Sequence, residues 1–575
     1  MNSKMIFTVF AFIGLAFGMS QAPQPVTESS YIIQGSSLAD VRALVVRQGG
    51  EITHELGVIR AVGATLTPAQ VKALRAHAGI QRVYDNGAVE VAGKPVKNDD
   101  SGSGRGNSDV LETHYPTQAG AKDVHGMGFD GSGVTIAVLD TGLWKHEGIR
   151  YNSVGGERIK AVYNAITDSV PVSPLSGDDP GGHGTHVASI AVSSRVTAEG
   201  NYNGVAPGAS LVSVQAFDEH GLGSYANVIR AIDWVVANKE VHGIRVLNLS
   251  FSAEPRSYYW DDPINQAVMA AWQQDIVVVA AAGNRGPAPM TIGVPGNVPY
   301  VITVGAVTDN YTPYDYRDDE LASFSSTGPT VEGFVKPEVL APGGHVLGLM
   351  DPTSTLAKEH PNFYVDQRYY FEMSGTSQAS AVVSGVAALI LQADPTLSAD
   401  DVKCRIMSAG RVAMAGKGGN KSLAYSVYQQ GAGMVDVKTA IANQARDCAN
   451  GGLDIAADIA GTKHFGGPAN QQDDGSYYLR GNLDSRETGY VWDGSYTDSS
   501  GYLWTNGYLW TDGYLWTNSY LWTDSEVGLN GYLWTDGYLW TNGYLWTDGY
   551  LWSNGYLWTN ALTEMASMSS WVEQE

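Results

Sequence analysis

VTIAVLD, residues 134–140, is a short, unbroken apolar run that ends on a carboxylate, Asp140. It is too short for an ordinary helix and has no polar alternation, so as a strand it needs cover on both faces. That is the situation of a parallel sheet held between helix layers. Four further runs repeat the pattern: LVSVQAF at 211–217, RVLNLSF at 245–251, DIVVVAAAGN at 275–284 and VITVGAV at 301–307. Helical segments separate or follow them, among them ANVIRAIDWVVAN at 226–238 and SQASAVVSGVAALILQA at 377–393. Residues 108–450 therefore predict an α/β domain with a doubly wound, mainly parallel sheet. In such a sheet ligands bind outside the carboxyl ends of the strands.

The chain has 575 residues, too many for a single compact core. Its formal net charge of -24 argues against a nucleic-acid binder, which needs clustered Lys and Arg to neutralise phosphates. Lys4, an apolar run over 6–19 and the small residues Ser20-Gln21-Ala22 read as an export signal over 1–22. The run is shorter than the roughly 20 residues of a spanning helix, and no transmembrane anchor is expected elsewhere. The expected location is extracellular. The two cysteines, Cys404 and Cys448, are read either as a disulfide or as two separate buried thiols.

Ahead of the α/β domain, residues 31–92 predict a small α+β unit. It has alternation in YIIQG, a helix in SLADVRALVVRQGG and a second helix opened by Thr67-Pro68. A polar stretch containing DDSGSGRGN carries this 23–107 region into the domain as a linker. A Gly-, Asp- and Asn-rich linker is expected at 451–488, then hexads of the form GYLWTN or GYLWTD over 489–560, then an acidic tail at 561–575.

Candidate chemistry sits where strands end and helices begin. Asp140 precedes Thr141-Gly142, His183 stands in GGHGTHVAS, Asn284 closes DIVVVAAAGN, and Ser377 opens a helix in SGTSQAS. A serine hydroxyl becomes a nucleophile when a neutral imidazole takes its proton, and the imidazole needs a carboxylate to fix its tautomer. A helix-start N–H and an Asn amide can meet developing negative charge. Each residue alone has a plainer reading: Asp140 and Ser377 as helix caps, Asn284 as turn chemistry, His183 with His186 as a metal pair or surface residues.

In their order, D-T-G, H-G-T-H, A-A-G-N and S-G-T-S resemble the motifs of the subtilisin-like serine endopeptidases (subtilases). The resemblance implies that Asp140 orients His183, that His183 is general base and then general acid, that Ser377 is the nucleophile and that Asn284 binds the oxyanion. It also implies that SYANVIRAIDW and LNLSFS flank an extended peptide, bringing Gly223, Ser224 and Tyr225 to one side. Ser250, Phe251, Ser252, Ala281, Ala282, Gly283 and Gly293 would form the pocket for the side chain before the scissile bond. A glycine floor at Gly293 suggests room for large apolar or aromatic residues. No cofactor is implied for catalysis. Structural calcium belongs to the family's repertoire and is not placed on residues here. Residues 23–107 resemble the family's propeptide, an intramolecular inhibitor and folding assistant cut off in the 94–114 region; the other reading is an independent binding unit.

The sequence departs from the family at Gln378 and Ala381, where Met and Pro are usual. Each hexad is a four-residue strand followed by Asn-Gly or Asp-Gly, suited to a hairpin meander or to a stacked solenoid. Rows of Trp and Tyr suit polysaccharide or cell-surface ligands; a spacer or secretion-related tail is the alternative. The whole reads as a secreted endopeptidase acting on protein substrates. The rival is a catalytically dead subtilase-fold adhesin or polymer-binding protein.

Overall fold

The computed structural model describes residues 27–92, 111–174, 178–365, 369–415, 422–471 and 477–479, with the pairs 490–491, 520–521 and 538–539. The expected export signal, the whole of the first linker, nearly all of the hexads and the acidic tail lie outside the described residues. From the repeat, Tyr520–Leu521 pairs in parallel with Tyr538–Leu539.

The N-terminal unit is a four-stranded antiparallel sheet, in the order β2 (Glu51–Leu56), β3 (Ala61–Leu66), β1 (Ser29–Gly35), β4 (Ile80–Asp85). Two helices, α1 (Leu38–Arg47) and α2 (Pro68–Arg75), complete it. Thr67 and Gln70 form a reciprocal capping box with Pro68 in the first turn, so the helix start expected from sequence is made by the residues that signalled it. Strand alternation divides the labour of β1. Ile33 joins Val41, Leu44, Val45 and Leu74 in the unit's own core, whereas Ile32 belongs to the large core of the following domain. The sheet therefore has helices on one face and a second domain on the other.

The main sheet runs in the order β7 (Ile159–Asn164), β8 (Ser210–Gln215), β6 (Thr135–Asp140), β10 (Ile244–Leu249), β12 (Val277–Ala281), β13 (Ile302–Thr308), with β15 (Val339–Pro342) beside β13. These pairings are parallel; the short β14 (Glu320–Leu321) pairs antiparallel with β13. All six residues of β6 are buried, as its unalternating sequence requires. After β6 the chain builds β7 and β8 on one side and then crosses to β10 on the other. The topological switch thus falls at β6, and Asp140 stands at its carboxyl end.

The helices used below are α3 (His183–Val192), α4 (Tyr225–Ala237), α5 (Pro263–Gln273), α6 (Thr376–Ala393) and α7 (Ala399–Ser408). Among the described residues, α6 alone is long and apolar enough to cross a membrane, and it is the buried central helix of this domain. Cys404 on α7 is disulfide-bonded to Cys448, with Cα atoms 5.2 Å apart. Closing a loop with a sequence separation of 44 is worth about 4 kcal/mol in the chain-entropy account.

The expected linker at 451–488 needs correction at its start. Residues 451–471 fold onto the domain through the helix Ile455–Ile459, whose Asp458 is buried. Asp458 accepts from the Tyr300 hydroxyl at 3.0 Å and from the Tyr259 hydroxyl, and lies 2.7 Å from His464 Nδ1. Phe465 is fully buried, and Gly467 N–H donates to Glu332 O at 2.7 Å. The Gly-rich composition suggested a solvated tether, but a few buried anchors pin it.

Candidate active site

Two motifs meet at the carboxyl end of β6. His183 is the first residue of α3, positioned by Gly182, whose φ of 97° is open to glycine and strained for other residues. A Cβ on Gly182 would fall 2.3 Å from Met350 Sδ, so the close approach is a second reason for glycine. His183 Nδ1 lies 2.7 Å from Asp140 Oδ1, and both side chains are 1% exposed. The Thr141 N–H donates to the same carboxylate oxygen at 2.8 Å. His183 Nε2 is buried without a hydrogen-bond partner.

Asp179, which sequence reasoning missed, ties the two loops together. It is buried and accepts from Gly182 N–H at 2.8 Å, Thr185 N–H at 2.7 Å and Thr141 Oγ1 at 2.7 Å. Burial raises its carboxyl's pKa, while the hydrogen bonds from Thr185, Thr141 and the backbone pull the other way. His183 and His186, the alternative metal pair, have separate partners: His183 Nδ1 meets Asp140, and His186 Nε2 meets Phe371 O at 3.0 Å. Among the described residues no group of three or more His, Cys, Asp or Glu is placed to hold a metal ion.

Ser377 is the second residue of α6, and its N–H points outward from the helix start. Asn284, past the end of β12, is braced by Thr376: its Oδ1 accepts from Thr376 N–H at 3.0 Å and from Thr376 Oγ1 at 2.9 Å. Thr376, the residue before the nucleophile candidate, is the other support the sequence reading did not single out.

The groove is occupied by the chain itself. β5 (Ala88–Val91) lies antiparallel between β9 (Leu222–Ser224) and β11 (Phe251–Ser252), with Val89 opposite Gly223 and Glu90 opposite Ser252. Ser224 pairs with Ala88, and Tyr225 N–H donates to Gly87 O at 3.0 Å. Val91 N–H donates to Gly221 O at 3.1 Å and Ala92 N–H to Ser250 O at 3.0 Å. The Ala92 carbonyl oxygen then accepts from Ser377 N–H at 3.1 Å and touches Ser377 Oγ. Ser377 Oγ also reaches Ser250 O at 2.9 Å. Gly223, Ser224 and Tyr225 thus lie on one side of the β5 segment, and Ser250, Phe251 and Ser252 on the other.

Of the residues expected to form the pocket, Phe251 turns to the other side, where its ring packs on Phe217. Ala281, Ala282, Gly283, Ser250, Phe251 and Ser252 are buried, and Gly293 N–H donates to Ala282 O at 3.0 Å. A Cβ on Gly293, however, would fall 1.9 Å from Ser252 Oγ and 2.7 Å from Ala253 O. The missing side chain of Gly293 makes room for Ser252, which corrects the expectation of a roomy glycine floor.

The buried Asp140–His183 pair at the end of β6, Ser377 at the start of α6 and Asn284 braced by Thr376 are the residues that the four motifs singled out; Ser377 Oγ is hydrogen-bonded to Ser250 O, and not to His183 Nε2. A family model described as "Subtilase family" matches residues 131–433. The chain belongs to the subtilase family. It is 40% identical over 290 residues to "Serine protease AprX" of Bacillus subtilis, covering 49% of this chain and 63% of that protein. It is 34% identical over 292 residues to "Subtilisin DY" of Bacillus licheniformis, covering 50% of this chain and 87% of that one. Among solved structures, fervidolysin from Fervidobacterium pennivorans aligns at a TM-score of 0.57 and 22% identity, over 79% of this chain and 67% of that one. This subtilase is accordingly a serine endopeptidase of subtilisin-like fold.

Proposed function

We propose that the protein is a secreted endopeptidase, made as an export precursor whose residues 23–92 inhibit it until removed. The observation that carries this reading is β5, held as a substrate-like strand with the Ala92 carbonyl on the Ser377 N–H. Extracellular relatives, such as "Minor extracellular protease Epr" of Bacillus subtilis, 28% identical over 453 residues, support export.

In the proposed reaction Ser377 Oγ leaves Ser250 O and gives its proton to His183 Nε2 as it attacks the carbonyl carbon. Asp140, bonded to Nδ1, holds the tautomer and supports the imidazolium that forms. The oxyanion is met by Ser377 N–H and by the Asn284 amide, which Thr376 aligns through Oδ1. The imidazolium then protonates the leaving amine, giving an acyl-enzyme; water, deprotonated by the same imidazole, releases the acid. The first bond cut is that between Ala92 and Gly93, just ahead of the region expected from sequence. Calcium is left unassigned to residues. The hexads serve as a polysaccharide- or surface-binding module that keeps the enzyme near an insoluble substrate.

Ser377→Ala tests the proposal. The variant should lose casein hydrolysis and accumulate as a chain uncut after Ala92, read by mass spectrometry of the secreted protein. Equal hydrolysis by variant and wild type would end the proposal.

A further inference from the structure

We infer that Ser252 sets the enzyme's side-chain preference, restricting the residue before the scissile bond to small ones such as Ala, Ser or Gly. The inference rests on the protease reading above and concerns which bonds it cuts.

The argument begins with register. Phe251 lies opposite Val91 and Ser252 opposite Glu90, so Ser250 stands opposite Ala92, as the 3.0 Å bond from Ala92 N–H to Ser250 O requires. Alternation along a strand puts Ser250, Ser252, Glu90 and Ala92 on one face of this small sheet and Phe251 and Val91 on the other. Phe251 packs on Phe217, with ring centroids 5.3 Å apart. The opposite face is therefore the one that receives the Ala92 side chain.

On that face the space is taken. Ser252 is fully buried, and its Oγ lies against Gly293 so closely that even a methyl there would clash. Behind it the floor is sealed: Ala253 N–H donates to Val294 O at 2.9 Å, and Val294 N–H to Ala253 O at 2.7 Å. Residues 281–283 are all buried, and Gly293 N–H donates to Ala282 O at 3.0 Å. Further along the same segment, Glu254 and Arg285 form an ion pair at 3.1 Å. Ser252 Oγ has no hydrogen-bond partner, which is costly for a buried hydroxyl. A short polar side chain could answer it; a bulky apolar one would have to displace it. The side chain seated in the structure, Ala92, is small and fully buried.

The test measures kcat/KM on a series of peptide anilides that differ only at the residue before the scissile bond, with casein hydrolysis as a check. Wild type should favour Ala over Phe by about 10- to 200-fold, the range that side-chain size alone commands in a closed pocket. Ser252→Gly should raise Phe cleavage by ten-fold or more and narrow or invert the ratio. A second readout is the full-length chain itself. Ala92→Phe should slow cleavage after residue 92, and adding Ser252→Gly should restore it. Casein hydrolysis with Phe preferred over Ala in wild type, or an unchanged ratio in Ser252→Gly, would overturn the pocket inference and leave the protease reading intact. Absence of any Ser377-dependent hydrolysis would overturn both.

Discussion

Asp233→Ala offers a way to separate the grip of the N-terminal unit from the chemistry. Asp233 lies on α4, on the surface that faces the unit. Its carboxylate accepts from Gly57 N–H at 2.7 Å and from Val58 N–H at 3.0 Å, at the start of the short turn Gly57–Ile59. Hydrogen bonds to a charged group are worth about 1.5–3 kcal/mol when dry. Here Gly57 is exposed, and burial raises the Asp233 pKa against the lowering by the two N–H groups, so desolvation takes back part of the gain. About 1 kcal/mol per bond is a fair net figure, and about 2 kcal/mol corresponds to roughly a 30-fold weaker complex. The assay is inhibition of the matured enzyme by residues 27–92 added in trans, followed with a chromogenic peptide. The inhibition constant should rise roughly 30-fold for Asp233→Ala and less for Asp233→Asn, which keeps an acceptor, while kcat/KM on the peptide stays at the wild-type value. A change below about three-fold for Asp233→Ala would refute the reasoning.

His54 predicts a pH dependence of the same complex. Its Nε2 lies 2.9 Å from Asn227 Oδ1, and burial lowers its pKa, with the Asn227 bond raising it, Arg230 lowering it and Asp168 raising it. The assembled form thus binds this proton more weakly than the free unit does. Affinity should be full above the ordinary histidine range and fall as pH drops through it, a slope that His54→Gln should flatten. In the core, Glu338 Oε1 holds two buried ammonium groups, Lys336 at 2.7 Å and Lys403 at 2.9 Å. Glu338→Gln should cost about 3–5 kcal/mol in chemical denaturation, because it strands buried charge. Burial pushes the Lys336 pKa from 10.5 down to about 7, with Glu338 opposing and Lys403 assisting. Between those values the unfolded chain binds more protons, so stability should rise with pH across that window and fall back toward neutrality. Finally, Gln378 follows the proposed nucleophile and offers no thioether to oxidise, so activity should survive mild peroxide. Rapid loss traced to the active site would contradict this.

Much of this was legible in the sequence because it was written locally. The buried strands announced themselves by unbroken apolar runs, the α2 start by Thr67, Pro68 and Gln70, and the catalytic candidates by glycines placed where a strand turns into a helix. The supports were not legible. Asp179 looks like any loop carboxylate until the fold brings Thr141 and Thr185 to it. The meaning of Gly293 reverses because the atom that needs its missing Cβ is Ser252 Oγ, on a distant strand. The tether after 450 misled because its composition is that of a solvated linker, whereas Asp458 and Phe465 act individually, each by finding a specific buried partner.

On the proposed reading, cutting after Ala92 does not by itself free the groove. The bonds that hold β5 among the described residues, Val91 N–H to Gly221 O and Ala92 N–H to Ser250 O, belong to residues on the N-terminal side of the cut and survive it. So do the Asp233 contacts on the back of the sheet and the apolar contacts of Ile32, Leu56 and Ile59 with the larger core. What the cut removes is covalent tethering, and with it the high effective concentration that a linked segment enjoys. A separated unit of this size has only a small core of its own, built around Ile33, Leu44, Val62 and Leu74, and such units are marginally stable alone. Release is then limited by loss of the unit's fold once it leaves the catalytic domain, because an unfolded segment cannot present β5, the Gly57 turn and Ile32 together. On this proposal activation is governed by the stability of the N-terminal unit, and the speed of the first peptide-bond cleavage is a separate quantity, set at the proposed nucleophile Ser377 and at Ser252.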